Sequence, residues 1–279
     1  MKNLVLVLVL VLVLAGCVPR SEKAQPLKAG SVSFKRFPVL EYHLIGRPEG
    51  RWTRTPENFR QDLEWLHANG YYPFNLRDIL TGFEGLPQGK TPVVLTFDDS
   101  SSSQFRYMPD GRIDPECAVG IVKSFHDKHP REWPLRATFF ILIGTNNPDR
   151  NIFGQKEHAQ NKLRQLTEWG IEVASHTYWH DRLNKVSEKF ARYTLAKSYQ
   201  TLKDLSGQEI VSLAVPMGLY PSDESVFKGK YQDIEYDYKL VCEVAGGLQP
   251  VPGDPRFDPH HIRRIQTIDS EWAKFFGRK

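Results

Sequence analysis

Short, almost wholly apolar runs alternate along this chain with longer stretches whose apolar residues recur every third or fourth position. The runs are Phe37–His43, Tyr71–Phe74, Val93–Phe97, Ala137–Leu142, Ile171–Ala174, Val211–Val215, Tyr238–Cys242 and Ile262–Ile268. Val93–Phe97 has the look of a strand buried on both faces. Between the runs, helices are predicted. Thr55-Pro56 joins a capping residue to a proline at the first helical position, and Phe59, Leu63 and Leu66 keep helical spacing up to Gly70. Pro115–His129 turns Val119, Val122 and Phe125 inward, while Gln155–Trp169 and Ser187–Leu205 end close to Gly170 and Gly207. Asn75–Leu80 reads as a short helix, Pro87–Pro92 as a turn, and Trp272, Phe275 and Phe276 as the docking face of a last helix. Strands alternating with helices imply a parallel sheet. About seven such units favour closure into an α/β barrel.

The polar residues sharpen this picture. Asp98-Asp99, Ser175-His176 and Pro216-Met217-Gly218 each follow the last apolar residue of a strand, and in a parallel barrel those ends share the rim on which active sites are built. His176 and His180 are four residues apart, the spacing that puts two imidazoles on one face of a helical turn and lets them bind one ion. A carboxylate from Asp98-Asp99 completes a set of metal donors with a position left open, and the other carboxylate is free to act as a base. Consecutive acids point to opposite sides of a strand, which argues against a glycosidase pair. Tyr178 and Trp179 offer a sugar-facing wall. Taken singly, Asp98-Asp99-Ser100 could merely cap the next segment, and an isolated His-x-x-x-His is weak. Their convergence on one rim favours the metal.

With these residues in place, the chain resembles the polysaccharide deacetylases, the NodB-homology carbohydrate esterases of family 4. Thr96-Phe97-Asp98-Asp99 and Ser175-His176-Thr177-Tyr178-Trp179-His180 resemble the first two family motifs, and Pro38–His43, Asn69-Gly70-Tyr71 and Ala137–Phe140 extend the likeness over nearly the whole domain. The resemblance implies a distorted (β/α) barrel that hydrolyses N-acetyl groups on sugar polymers, peptidoglycan or exopolysaccharide, with a divalent metal, usually zinc. Carried over by position, Asp98 is the general base and Asp99, His176 and His180 are the metal ligands. Leu213–Gly218 matches the third motif, whose N–H after the proline, that of Met217, helps hold the oxyanion. Three positions depart from the pattern: Ala214 replaces an arginine that supports the base, Met217 replaces an aromatic, and Ser100 replaces a glycine. Arg263 or Arg264 on the last strand is expected to supply the missing charge, and Arg264 is assigned. No Leu-x-x-His-Asp segment supplies a general acid, so His43, His260 and His261 stay open, with His260-His261 reading as a loop pair. Gly246-Gly247 reads as a turn lining the cleft. Two rival functions follow from the departures and the chemistry: a glycan-binding lipoprotein without catalysis, and an O-acetyl esterase on the same polymers.

The N-terminus carries a separate signal. Met1-Lys2-Asn3 is followed by an unbroken Leu/Val run, Leu4–Leu14. At about 1.5 Å per residue this is too short for a hydrocarbon core of about 30 Å, and it reads as an export signal. Leu14-Ala15-Gly16-Cys17 resembles a bacterial lipobox, which implies removal of residues 1–16, lipid on Cys17 and anchoring to the exoplasmic side of a membrane of the bacterial envelope. Residues 17–31 are then a tether and residues 32–279 one catalytic domain, read as a monomer. The chain has 279 residues and a formal net charge of +4, with both signs interspersed, which gives no footing for nucleic acid. Cys117 and Cys242 are left either as a disulfide or as two buried thiols.

Overall fold

The computed structural model describes residues 34–278, so the signal, Cys17 and the tether lie outside the described residues. Eight strands carry the fold: β1 Val39–Tyr42, β2 Tyr71–Phe74, β3 Thr91–Phe97, β4 Thr138–Ile141, β5 Glu172–Ser175, β6 Ser212–Ala214, β7 Leu240–Gly246 and β8 Ile262–Gln266. All pair in parallel, in the order β1-β8-β7-β6-β5-β4-β3, and β3 returns to β1 to close a barrel of seven. The expected barrel is therefore present, and its distortion has a clear origin. Strand β2 lies outside the ring, pairing with Thr91–Val94, while β4 takes the later part of the same strand at Thr96 and Phe97.

Five α-helices surround the ring: α1 Pro56–Ala68, α2 Ala118–Lys128, α3 Ala159–Glu168, α4 Glu188–Ser206 and α5 Asp269–Phe276. The Thr55 hydroxyl caps α1 by accepting the Asn58 N–H at 3.2 Å, as its sequence suggests. The expected helix from Pro115 starts only at Ala118, because the Cys117 side chain takes the capping position and accepts the Gly120 N–H at 3.4 Å. Asn75–Leu80 is realised as a 3₁₀ turn, Leu76–Thr81. Trp272 is buried, and its ring meets that of Trp65 edge-on at 5.8 Å, so α5 docks as expected. Three short pairings go beyond the sequence reading: Arg36–Phe37 with Gln249–Pro250, Leu44–Ile45 with Thr53–Arg54, and Lys228–Tyr231 with Ile234–Asp237. Cys117 and Cys242 are buried free thiols.

Alternation along each strand sorts residues between the barrel interior and the shell under the helices. Val39, Val94, Phe140, Ala174, Ala214, Cys242 and Ile262 cluster inside, whereas Leu40, Leu95, Phe97, Val173 and Val241 pack outward. A polar floor lies at the early end of the strands: the Glu172 carboxylate accepts from the Thr138 hydroxyl at 2.8 Å, the Ser212 hydroxyl at 2.6 Å and the Arg77 N–H at 2.9 Å. The same alternation puts Glu41, Thr96 and Arg264 at the opposite end. That end becomes the site.

The loops flanking the site are tied from below by Lys162 of α3. Its buried ammonium donates to the Phe105 carbonyl at 2.7 Å and the Phe153 carbonyl at 3.2 Å, and it lies 5.4 Å from the Phe105 ring centroid. Burial lowers its pKa from 10.5 to about 8, so the folded protein holds this proton less tightly than the unfolded chain. The resulting cost is in force below about pH 8 and fades as pH rises toward 10.5. The thermal midpoint of the wild type should therefore rise relative to Lys162→Met across that window, measured by calorimetry. A difference that stays constant with pH would contradict the buried charged lysine.

Candidate active site

Strand β3 runs straight as far as Phe97, so Asp98 continues the inward-facing series of Val94 and Thr96. Its carboxylate is buried and meets a fully buried Arg264 from β8 in a two-pronged ion pair, 2.7 Å to Oδ1 and 2.8 Å to Oδ2. The same guanidinium donates to Glu41 Oε1 of β1 at 2.7 Å and to the Thr96 hydroxyl at 3.2 Å. Burial alone would push the Asp98 carboxyl up, but Arg264, helped by His176 and His43, outweighs it and holds it below the usual carboxylate range. Burial, reinforced by Asp98, pushes Glu41 the other way against the pull of Arg264. Of the two candidate arginines, Arg264 thus reaches the acid. Arg263 lies on the other side of β8, with its side chain against Gly246.

Asp99 leaves the strand in the left-handed region, with φ of 78°. That bend lets two adjacent carboxylates enter one cleft although strand geometry would send them to opposite faces. Asp99 Oδ1 stands 3.5 Å from His176 Nε2 and 3.4 Å from His180 Nε2. His176 follows β5 directly, and its Nδ1 lies 2.8 Å from the Ala214 carbonyl. A carbonyl only accepts, so Nδ1 carries a proton and Nε2 is the ring nitrogen turned toward Asp99. Ala214, which stands where the family motif carries arginine, therefore orients His176 through its main chain. Burial and the neighbouring His176 lower the His180 pKa to about 3, against the pull of Asp99, so this imidazole is neutral at physiological pH.

The helical turn expected at His176–His180 does not form. Thr177 and His180 take φ of 61° and 67°, and the segment is a loop. Side chains of β5 and α4 stitch it down: the Thr177 N–H donates to the Ser175 hydroxyl at 3.2 Å, and the Tyr178 N–H donates to the Thr194 hydroxyl at 3.2 Å. The two rings still converge on Asp99, because the left-handed residues fold the loop back over the strand end.

The donors of Asp99, His176 and His180 all lie within 4.8 Å of one another. Asp99 Oδ1 is buried and has no hydrogen-bond partner, although the Arg150 guanidinium forms an ion pair with it. One carboxylate and two imidazole nitrogens brought this close together fit a divalent cation. A second group, Glu41, His43 and Asp98, also clusters within 4.8 Å, but Arg264 already supplies the positive charge to both of its acids.

These groups open onto a cleft of about 630 Å³ that also exposes His43, Trp52 and Met217. Met217 has φ of 58° in the turn after β6. The hydrogen bonds of that turn run from the Gly218 and Leu219 N–H groups to Val215 and Pro216, at 2.9 and 3.1 Å, and they leave the Met217 N–H out. Of the three histidines left open for the acid, His43 lines the cleft, and burial lowers its pKa against the pull of Asp98 and Asp99. His261 lies elsewhere, at a separate surface cavity of about 530 Å³, bonded to Glu243 at 2.8 Å and Glu224 at 3.1 Å. The His260 ring packs against Phe227.

Tyr178 and Trp179 do not form the expected wall of the cleft. Lys197 of α4 stacks over both rings, at 4.2 and 4.5 Å, and Trp179 also stacks on Phe190, so these aromatics brace the histidine loop against the helix. The exposed aromatic of the cleft is Trp52, 41 % exposed, with the Arg51 guanidinium over its ring at 4.8 Å. Sequence reasoning missed Trp52, Arg51 and Arg150, none of which sits beside a motif. Gly246-Gly247 forms the expected turn, but it faces the side chains of Arg263 and Phe275 and not the cleft.

The chain has counterparts among known proteins. The family model described as polysaccharide deacetylase matches residues 85–228. YxkH of Bacillus subtilis (strain 168) is 25% identical over 193 residues, and a peptidoglycan-N-acetylglucosamine deacetylase of Bacillus cereus is 26% identical over 164 residues. The matches take in 66% and 58% of this chain, which spans 58% and 50% of those relatives' own lengths. Among solved structures, IcaB from Ammonifex degensii superposes with a TM-score of 0.62 at 21% identity, covering 86% of this chain and 95% of that one. The Streptococcus pyogenes deacetylase PplD, in complex with acetate, gives a TM-score of 0.59 at 20% identity, covering 84% and 92%. These two share the fold. With the family match extending over half of the sequence, the chain belongs to the polysaccharide deacetylase family.

Proposed function

We propose that the protein is a hydrolase that removes N-acetyl groups from N-acetylhexosamine polymers of the bacterial envelope, peptidoglycan or exopolysaccharide. Asp99, His176 and His180 would hold its divalent ion, and zinc best suits one carboxylate and two imidazoles. The observation that carries the reading is the convergence of these three donors beside an Asp98 carboxylate kept ionised by a buried arginine. The Bacillus cereus relative's name specifies peptidoglycan N-acetylglucosamine, and the Streptococcus pyogenes structure holds acetate; both agree with this choice.

When bound, the ion supplies Lewis acidity, which polarises the acetamide carbonyl and makes a water nucleophilic near neutral pH. The residues of the chain do the rest. Asp98 accepts the proton of the attacking water at a carboxylate oxygen, and Arg264 keeps that carboxylate ionised and aimed into the cleft. The Met217 N–H, left out of the bonds of its own turn, would donate to the oxyanion that develops on the carbonyl oxygen. The departing amine needs a proton, and His43 is the cleft imidazole outside the metal group, with a ring nitrogen within 4.8 Å of an Asp98 oxygen. Of the four large hydrophobic residues exposed among the described residues, Leu44, Trp52 and Met217 line this cleft. Such an apolar lip suits the face of a sugar ring. Export and a lipid on Cys17 would bring the domain to these polymers outside the cytoplasm.

Acetate release is the direct test. N-acetylglucosamine oligomers should yield acetate, a chelator should stop the reaction, and Asp98→Asn should lower the rate by roughly 10² to 10⁴-fold. Acetate from O-acetylated glycan alone would identify an esterase, and glycan affinity without acetate release would identify a binding protein; either result refutes the proposal. The Arg264 pair makes a separate prediction. Arg264→Met leaves two buried carboxylates without their cation and should lower the unfolding free energy in urea by about 3–5 kcal/mol, and adding Glu41→Gln should restore part of the loss. Wild-type stability in Arg264→Met would rule out the buried ion network.

A further inference from the structure

Arg150 occupies an unusual place for a cation. It stands on the segment after β4, and its guanidinium pairs with Asp99 Oδ1, the oxygen that also faces His176 and His180. Asp99 is its one carboxylate partner among the described residues, and Arg150 Nε is buried without a hydrogen-bond partner. The backbone beneath it is fastened to the residue that follows the two acids. The Ser100 hydroxyl donates to the Arg150 carbonyl at 2.9 Å and accepts from the Leu142 N–H at 3.0 Å, while the Phe153 N–H donates to the Ser100 carbonyl at 2.8 Å. The Ser102 N–H adds a bond to the Asp149 carbonyl at 3.1 Å. Ser100 thus has a use that the glycine of the family pattern lacks: its side chain holds the Arg150 segment against the acids.

Resting on the reading of Asp99, His176 and His180 as a metal group, we infer that Arg150 is a built-in competitor for that group, a tethered cation that a divalent ion must displace from Asp99 in order to bind. Two positive charges cannot share one carboxylate oxygen at contact distance without strong repulsion, and a carboxylate already paired is a poorer ligand than a free one. The tether matters because it keeps the guanidinium at the cleft after displacement, so that the competition is intramolecular and independent of protein concentration. Arg150 therefore sets the affinity of the site and restricts loading to ions that bind imidazole nitrogen strongly.

The test is competition for Zn²⁺ between the purified protein and a chromophoric chelator, with no glycan present. Arg150→Gln, similar in length but uncharged, should bind zinc roughly ten- to a hundredfold more tightly than wild type, the worth of a partly buried charge pair. Arg150→Lys, which keeps the charge but loses the planar fork, should fall between the two. If Arg150→Gln does not fold, the comparison of Arg150→Lys with wild type decides alone. Equal or weaker zinc binding by the variants overturns the inference while leaving the metal group standing. Zinc binding by neither wild type nor variants overturns both.

Discussion

Arg264 carries a full positive charge into the interior of the barrel, where an unpaired guanidinium would cost several kcal/mol in lost hydration. Two carboxylates offset that cost, Asp98 with both oxygens and Glu41 with one. Because Glu41 and Arg264 lie on β1 and β8 and Asp98 directly follows β3, the ion network also fixes the register in which these three strands meet. The site and the closure of the fold thus depend on the same contact. An arginine at the start of the third motif would be a local answer to the need for a charge beside Asp98. Here the charge comes from a strand far along the chain, and Ala214 holds His176 by its main-chain carbonyl.

Around that fixed centre, the reactive groups sit where the backbone leaves regular structure. Asp99, Ser100, Thr177, His180 and Met217 all have left-handed φ values without being glycine. Such residues persist only where their surroundings over-determine them, and the surroundings here are specific: the Ser175 and Thr194 hydroxyls beneath the histidine loop, and Lys162 beneath the flanking loops. The barrel supplies a rigid rim, and the irregular turns point adjacent side chains into one cleft.

Much of this was legible in the sequence because it depends on local pattern. Thr55-Pro56 announced α1, the apolar runs announced the barrel strands, and the position of Asp98-Asp99 and His176 just after strands put them on one rim. Legibility ended where the outcome depended on contacts between distant segments. His176-x-x-x-His180 has helical spacing, but the hydroxyls of Ser175 on β5 and Thr194 on α4 hold it as a loop. Tyr178 and Trp179 neighbour a motif in sequence, yet Lys197 draws them onto the helix, and Trp52 from an unremarked loop faces the cleft in their stead. Choosing between Arg263 and Arg264 needed only strand parity, since Asp98 faces inward and one of two adjacent residues on β8 must face it. Arg150 had no local signal at all, because its partner Ser100 is noteworthy only once the two segments are seen side by side.

On the proposed reading, Asp99, His176 and His180 ligate one ion while Asp98 stays off it. Anomalous diffraction at the zinc edge, from crystals grown with zinc, shows where the ion sits. The expected result is a single strong peak bonded to Asp99 Oδ1, His176 Nε2 and His180 Nε2, with Asp98 still paired to Arg264. A peak among Glu41, His43 and Asp98, or none in the cleft at full zinc saturation, would contradict it.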